Sequence, residues 1–136
     1  MGLGKPKVTQ RKDTKPERIS DAEHAVMEVL WEKSPLTAAE VSDAVGERRG
    51  WSLATVKTLL GRLVQKQAIS ASPDGRRYLY APQIARADYI GNESKRLVDR
   101  LFGGRAASLV AHLADQEALT EDDLAEIEAL LKELKQ

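Results

Sequence analysis

Ser52, Ala54, Thr55, Lys57, Thr58 and Arg62 form one group of side chains, and Arg76 with Arg77 forms a second. None belongs to an acid–base or nucleophile–base arrangement. They are small, hydroxyl-bearing or cationic groups, suited to binding a polyanion. Thr55 and Thr58 are three residues apart and Arg62 lies four further on, so on a helix all three share a face. Threonine hydroxyls can read base edges, threonine methyls can meet thymine methyls, and an arginine can reach a guanine or a phosphate. Ser52 stands where the helix begins, and its hydroxyl with the neighbouring backbone N–H groups suits a phosphate. Lys57, with Lys66, lies on the flank and suits the sugar–phosphate backbone. A surface helix without a partner usually carries glutamate, yet no acidic residue stands between Trp51 and Gln65. Arg76 and Arg77 sit at a hairpin tip, within reach of the adjacent backbone or minor groove.

The charge pattern around these residues agrees. The 136-residue chain is neutral, with 21 Lys+Arg against 21 Asp+Glu. Residues 48–82, however, carry seven basic side chains and one acidic, and residues 19–47 carry one basic and seven acidic. A basic segment inside a neutral protein points to a polyanionic partner. With 42% hydrophobic and 31% charged residues, the composition is that of a soluble globular chain. The chain has no cysteine, which removes disulfides, thiolate metal sites and cysteine nucleophiles. His24 and His112 lack ligand-like spacing, and Glu121-Asp122-Asp123 reads as favourable charge at a helix N-terminus. No catalytic residue, metal or cofactor is expected. No stretch approaches the ~18 apolar residues of a membrane span, and the N-terminus lacks the apolar core of a signal peptide, so a cytoplasmic location is expected.

The elements that must position these groups follow from start and stop signals. Residues 1–18 hold few apolar side chains and read as a flexible basic arm. Ser20 with Glu23 makes a capping box, followed by Val26, Met27, Leu30 and Trp31 on one face, up to Ser34-Pro35. Thr37 with Glu40 makes the next, and Leu36 can staple to Val41. Val41, Ala44 and Val45 then face inward, and Gly46 is the expected stop. A polar turn over residues 47–50 leads to Trp51 and a cap at Ser52. The helix from Leu53 to about Lys66 is expected to bury Leu53, Val56, Leu59, Leu60 and Leu63. The period then changes from 3.6 to 2, and residues 69–72 and 76–81 flank a Pro73-Asp74-Gly75 turn, closed by Pro82. The remainder reads as helical. One helix runs from about Ala85 to Leu101, with Ile90, Leu97, Val98 and Leu101 inward, and stops at Gly103-Gly104. A short one carries Leu109, Val110 and Leu113. The last starts at Thr120 with Asp123 and carries Ile127, Leu130, Leu131 and Leu134.

Three helices and a hairpin, with a basic third helix, are the order of a winged helix-turn-helix. The expected fold is mainly α with a small β-hairpin: a winged DNA-binding domain over 19–82 and a helical dimerisation domain over 83–136. The C-terminal segment is near the size at which one core rarely holds alone. Its stripe of Leu97, Leu101, Leu109, Leu113, Ile127, Leu130 and Leu134 therefore calls for a second copy in a two-fold dimer. Such a dimer places two recognition helices one DNA turn or a multiple apart, roughly 34–36 Å per turn, on a palindromic duplex.

Ile19-Ser-Asp-Ala-Glu, Met27, Leu30-Trp31, Ser34-Pro-Leu-Thr-Ala, Trp51-Ser, Thr55-Val-Lys-Thr-Leu-Leu-Gly-Arg-Leu and Gly75-Arg-Arg-Tyr-Leu-Tyr resemble the penicillinase repressor family. That family groups beta-lactamase and methicillin-resistance repressors with copper-responsive ones. The resemblance runs from about 19 to 136. It implies a homodimeric winged-helix repressor on an operator with TACA/TGTA-like arms, controlling a beta-lactam-resistance or related stress operon, with its C-terminal helices as the dimer interface. Three positions depart from the family pattern. His24 stands where an aromatic residue is usual. The C-terminal cysteine array of the copper-responsive members is absent, which excludes copper sensing by that device. The bond cut in the beta-lactam-responsive members by a membrane metalloprotease is Asn-Phe, and the similar position here is Leu101-Phe102, the candidate proteolytic site for a membrane sensor protease. The alternative reading is a winged-helix protein–protein adaptor without DNA, against which the basic segment speaks.

Overall fold

The computed structural model describes residues 18–136; the basic arm expected over 1–18 lies, apart from Arg18, outside the described residues. The helix starts lie where their caps place them. Helix α1 (Asp21–Glu32) opens on Ser20, whose hydroxyl accepts from the Glu23 N–H at 3.1 Å while the Ser20 N–H donates to the Glu23 carboxylate at 2.8 Å. Helix α2 (Ala38–Arg49) opens on the same reciprocal pair, Thr37 with Glu40, at 2.8 and 3.2 Å. Helix α3 (Leu53–Gln65) opens on Ser52, whose hydroxyl accepts from the Thr55 N–H at 3.1 Å.

Helix α2 does not stop at Gly46 but runs through Arg49. A glycine inside a helix costs about 1 kcal/mol relative to alanine without breaking it. The left-handed residue that ends the helix is Gly50, at φ +71°. A Cβ on Gly50 would meet nothing within 4 Å, so its cost is conformational alone. Gly50→Ala is therefore expected to lower stability by about 1 kcal/mol, read as a lower urea midpoint at unchanged slope. An unchanged midpoint would mean that the α2–α3 turn relaxes freely.

The core combines Val26, Met27 and Leu30 of α1, Val41 and Val45 of α2, Val56, Leu59, Leu60 and Leu63 of α3, and Leu36, Ala68 and Ile69. Two residues expected inside lie outside it. Ala44 is exposed on the rim of a groove between α1 and α2. Leu53 is 42% exposed, because it occupies the first helical position, a turn before the core begins at Val56.

Strands β1 (Ile69–Asp74) and β2 (Arg77–Pro82) pair antiparallel from Ile69 opposite Pro82 to Asp74 opposite Arg77. Pro73 and Asp74 thus belong to the strand, not the turn, and the turn is Gly75-Arg76. Gly75, at φ +68°, supplies the positive φ that a two-residue hairpin loop needs at its first position. The hairpin is held to the helices by a strand-like bridge in which Leu36 and Tyr80 exchange N–H···O bonds of 3.0 and 2.8 Å. The chain after it stays attached. The Gln83 N–H donates to the Ala68 carbonyl, the Trp31 indole N–H donates to the Ile84 carbonyl at 2.9 Å, and Arg86 makes two bonds to Glu28. One compact unit ends at Arg86, and a second covers Ala87–Gln136.

The second unit continues helix α4 (Arg86–Phe102) and adds α5 (Ala106–Asp115) and α6 (Glu121–Leu134), whose capping box, Thr120 with Asp123, closes with two 3.0 Å bonds. No residue of these three helices is buried. Leu97 and Leu101, expected inward, are exposed, while Ile90 and Val98 are half-buried. Three short helices cannot enclose so narrow an apolar stripe between them. Among the described residues, no helix is long and apolar enough to cross a membrane.

Candidate nucleic-acid interface

Helix α3 is two-faced. Val56, Leu59, Leu60 and Leu63 are buried, while Ala54, Thr55, Lys57, Thr58, Gly61 and Arg62 are exposed on the opposite side, with Ser52 at the start. The hydroxyls are anchored locally. Ser52 Oγ donates to Thr55 Oγ1 at 3.2 Å, and Thr58 Oγ1 donates to the Ala54 carbonyl at 3.0 Å. These bonds fix the rotamers. They leave Thr55 its own proton, Thr58 its lone pairs and both residues their methyls. Gly61 has open space where a Cβ would stand, so a partner can come close to the helix between Thr58 and Arg62.

Ion pairing divides the cations of the first unit. Lys66 binds Glu23 at 2.7 Å, Arg77 binds Asp74 at 3.1 Å and Arg86 binds Glu28 at 2.9 Å. Among the described residues, Lys33, Arg48, Arg49, Lys57, Arg62 and Arg76 have no ion pair. Apart from Lys33 at the end of α1, they belong to the last turn of α2, to α3 or to the tip of the hairpin. Arg77 is held across the hairpin, but both partners are exposed. Such a pair is worth little and can be exchanged for a phosphate.

Lys66, expected on the flank toward the backbone, is instead drawn to the buried Glu23 and also donates to the Arg18 carbonyl at 2.9 Å. Burial alone would raise the Glu23 carboxyl. The Lys66 ammonium and the Ser20 N–H, both bonded to it, together outweigh that and hold it below the usual carboxylate range.

One residue was missed in the sequence. Arg49, read as part of a polar turn, stands in the last turn of α2 with its guanidinium 5.3 Å from the centre of the Trp51 ring. The signal was an arginine pair one glycine before Trp51-Ser52, where a helix end and an aromatic meet. His24 packs edge-on against Trp31, ring centres 5.9 Å apart, with Nε2 3.3 Å from Glu28. In the second unit Leu109, Leu113 and Ile127 are half-buried and Leu97, Leu101, Leu130 and Leu134 exposed. Leu101-Phe102 ends α4, and the half-buried Phe102 ring lies 6.0 Å from that of His112.

Three helices, a Leu36–Tyr80 bridge and a two-stranded wing make residues 18–86 a winged helix-turn-helix unit. The penicillinase repressor profile matches residues 19–133, and the chain belongs to that family. It is 33% identical over 118 residues to the penicillinase repressor of Bacillus licheniformis, covering 87% of this chain and 92% of that one. It is 29% identical over 119 residues to the methicillin resistance regulatory protein MecI of Mammaliicoccus sciuri, covering 88% and 97%. The solution structure of the DNA-binding domain of the repressor BlaI is similar at 38% identity with a TM-score of 0.51, over 56% of this chain and 93% of that domain.

Proposed function

We propose that this chain is a sequence-specific DNA-binding transcriptional repressor that acts as a homodimer on a palindromic operator. The outward face of α3 carries the reading: hydroxyls, methyls and unpaired cations without one carboxylate. A helix of this width enters the roughly 12 Å major groove. Ala54, Thr55 and Thr58 then meet base edges, Arg62 a base or phosphate, and Ser52, Lys57, Arg76 and Arg77 the backbone. The exposed and half-buried leucines of α4, α5 and α6 support a two-fold dimer of the 83–136 segment. Relatives named penicillinase repressor and methicillin resistance regulatory protein support a beta-lactam-resistance or related stress operon as the target. Repression by occupancy needs no catalysis, and its site of action is the cytoplasm. Cleavage at Leu101-Phe102 by a membrane sensor protease is the inducing step in this reading; an induced cell that retains only intact chain removes it.

The test is fluorescence anisotropy on a duplex carrying a TACA/TGTA palindrome and on a scrambled duplex, at two salt concentrations. Selective binding that survives the higher salt supports the proposal. Binding to neither, with a protein partner co-purifying, favours the adaptor. Within the site, Thr58→Ala is expected to relax preference at one base position by ~1–3 kcal/mol. Arg76→Ala should weaken all sequences alike and reduce the salt slope by about 1. A change of base preference on Arg76→Ala would show that the two roles are reversed.

A further inference from the structure

We infer that Arg49 is a DNA-backbone contact, held in place by the Trp51 indole; the inference rests on the DNA-binding reading above. Arg49 ends α2, Gly50 reverses the chain at φ +71°, and Trp51 directly precedes Ser52, the N-cap of α3. The guanidinium lies over the indole at 5.3 Å, and no carboxylate neutralises it among the described residues. That cation–π contact draws on the charge of the guanidinium and on none of its N–H donors. Those donors point outward in the guanidinium plane, the geometry that grips a phosphate with two parallel bonds. The contact with the indole restrains a side chain that would otherwise wander at the surface, so less entropy is lost on binding.

Position completes the case. A recognition helix enters the groove by its N-terminal turns while the helix before it crosses the phosphate backbone. Arg49 stands one residue before Gly50 and three before Ser52. The arginine therefore extends the backbone-contacting edge from the start of α3 onto the end of α2, where the sequence suggested only a polar turn.

The experiment is a salt titration of binding by the full chain, using the TACA/TGTA palindrome and the scrambled duplex as probes. Arg49→Gln is the test variant, Arg49→Lys restores charge without the planar fork, and Lys33→Gln is the control for an exposed cation away from α3. Arg49→Gln should weaken binding on the order of tenfold on both duplexes, as loss of a charged hydrogen bond does. It should also flatten the plot of log affinity against log salt by about 0.9 per protomer. Arg49→Lys should recover the slope but not the whole affinity, and Lys33→Gln should change neither. An Arg49→Gln chain with wild-type affinity and slope overturns the inference, leaving the contact as packing of the turn. So does weaker binding at unchanged slope, which assigns Arg49 a conformational role, or a changed ratio between the two duplexes, which makes it a base reader. Failure of the wild-type chain to bind either duplex removes the DNA reading itself, and this inference with it.

Discussion

Glu23→Ala is expected to destabilise the first unit by about 3 kcal/mol, the largest loss from any single side chain that makes no part of the apolar core. Glu23 is 1% exposed and stands at the third position of α1. Its carboxylate accepts from the Ser20 N–H and from Lys66, whose nitrogen also donates to the Arg18 carbonyl. Removing it breaks one half of the α1 capping box, the Ser20 N–H bond, and leaves an ammonium without its counter-charge. Breaking a buried pair from one side costs ~3–5 kcal/mol. The low end applies here because the Lys66 side chain keeps 20% exposure and can turn to water. For a unit of this size, that loss lowers the melting midpoint by roughly 10–20 °C.

The pH dependence has a definite sign. The folded Glu23 carboxyl titrates below its ordinary value. Its contribution is therefore complete above about pH 4.3, the unfolded value, and is lost as pH falls through the lower folded value. Wild type and Glu23→Ala should differ fully near pH 7 and converge in acid. A constant gap in melting temperature from pH 7 to pH 3 would show that the loss comes from packing and not from charge. Lys66 caps α3, so the same pair joins the end of that helix to the first turn of α1.

Leu130→Glu is expected to convert the proposed homodimer into a 15.0 kDa monomer and to weaken operator binding ~10²–10⁴-fold. Leu130 is 55% exposed in the single chain, so the substitution alone costs the fold little. In the proposed dimer it places a charge on the apolar stripe of each copy, where the two faces would meet. The affinity lost is that of linkage: a dimer that has seated one recognition helix holds the other at a high local concentration over the second half-site. Light scattering reads the mass, anisotropy the affinity, and a melt should leave the first unit unchanged. A variant that remains dimeric with wild-type affinity places the interface elsewhere.

The parts of this protein that the sequence determined are those set by contacts within four residues. Ser20 with Glu23, Thr37 with Glu40 and Thr120 with Asp123 cap their own helices, so the starts of α1, α2 and α6 were legible. Helical spacing likewise decided which side of α3 is apolar and which carries Thr55, Thr58 and Arg62, and the family resemblance was legible in the same residues. Only the tertiary structure decided which cations remain available. Lys66 is paired with a carboxylate 43 residues away, while Arg49 lies over the Trp51 ring with no carboxylate partner among the described residues. It also decided that Leu53 overruns the core, that α2 passes Gly46 to end at Gly50, and that α4, α5 and α6 enclose no core of their own. The physical reason is common to all of these. Caps and periodicity are satisfied within a turn of helix, whereas ion pairing and burial depend on which distant segments the finished fold sets side by side.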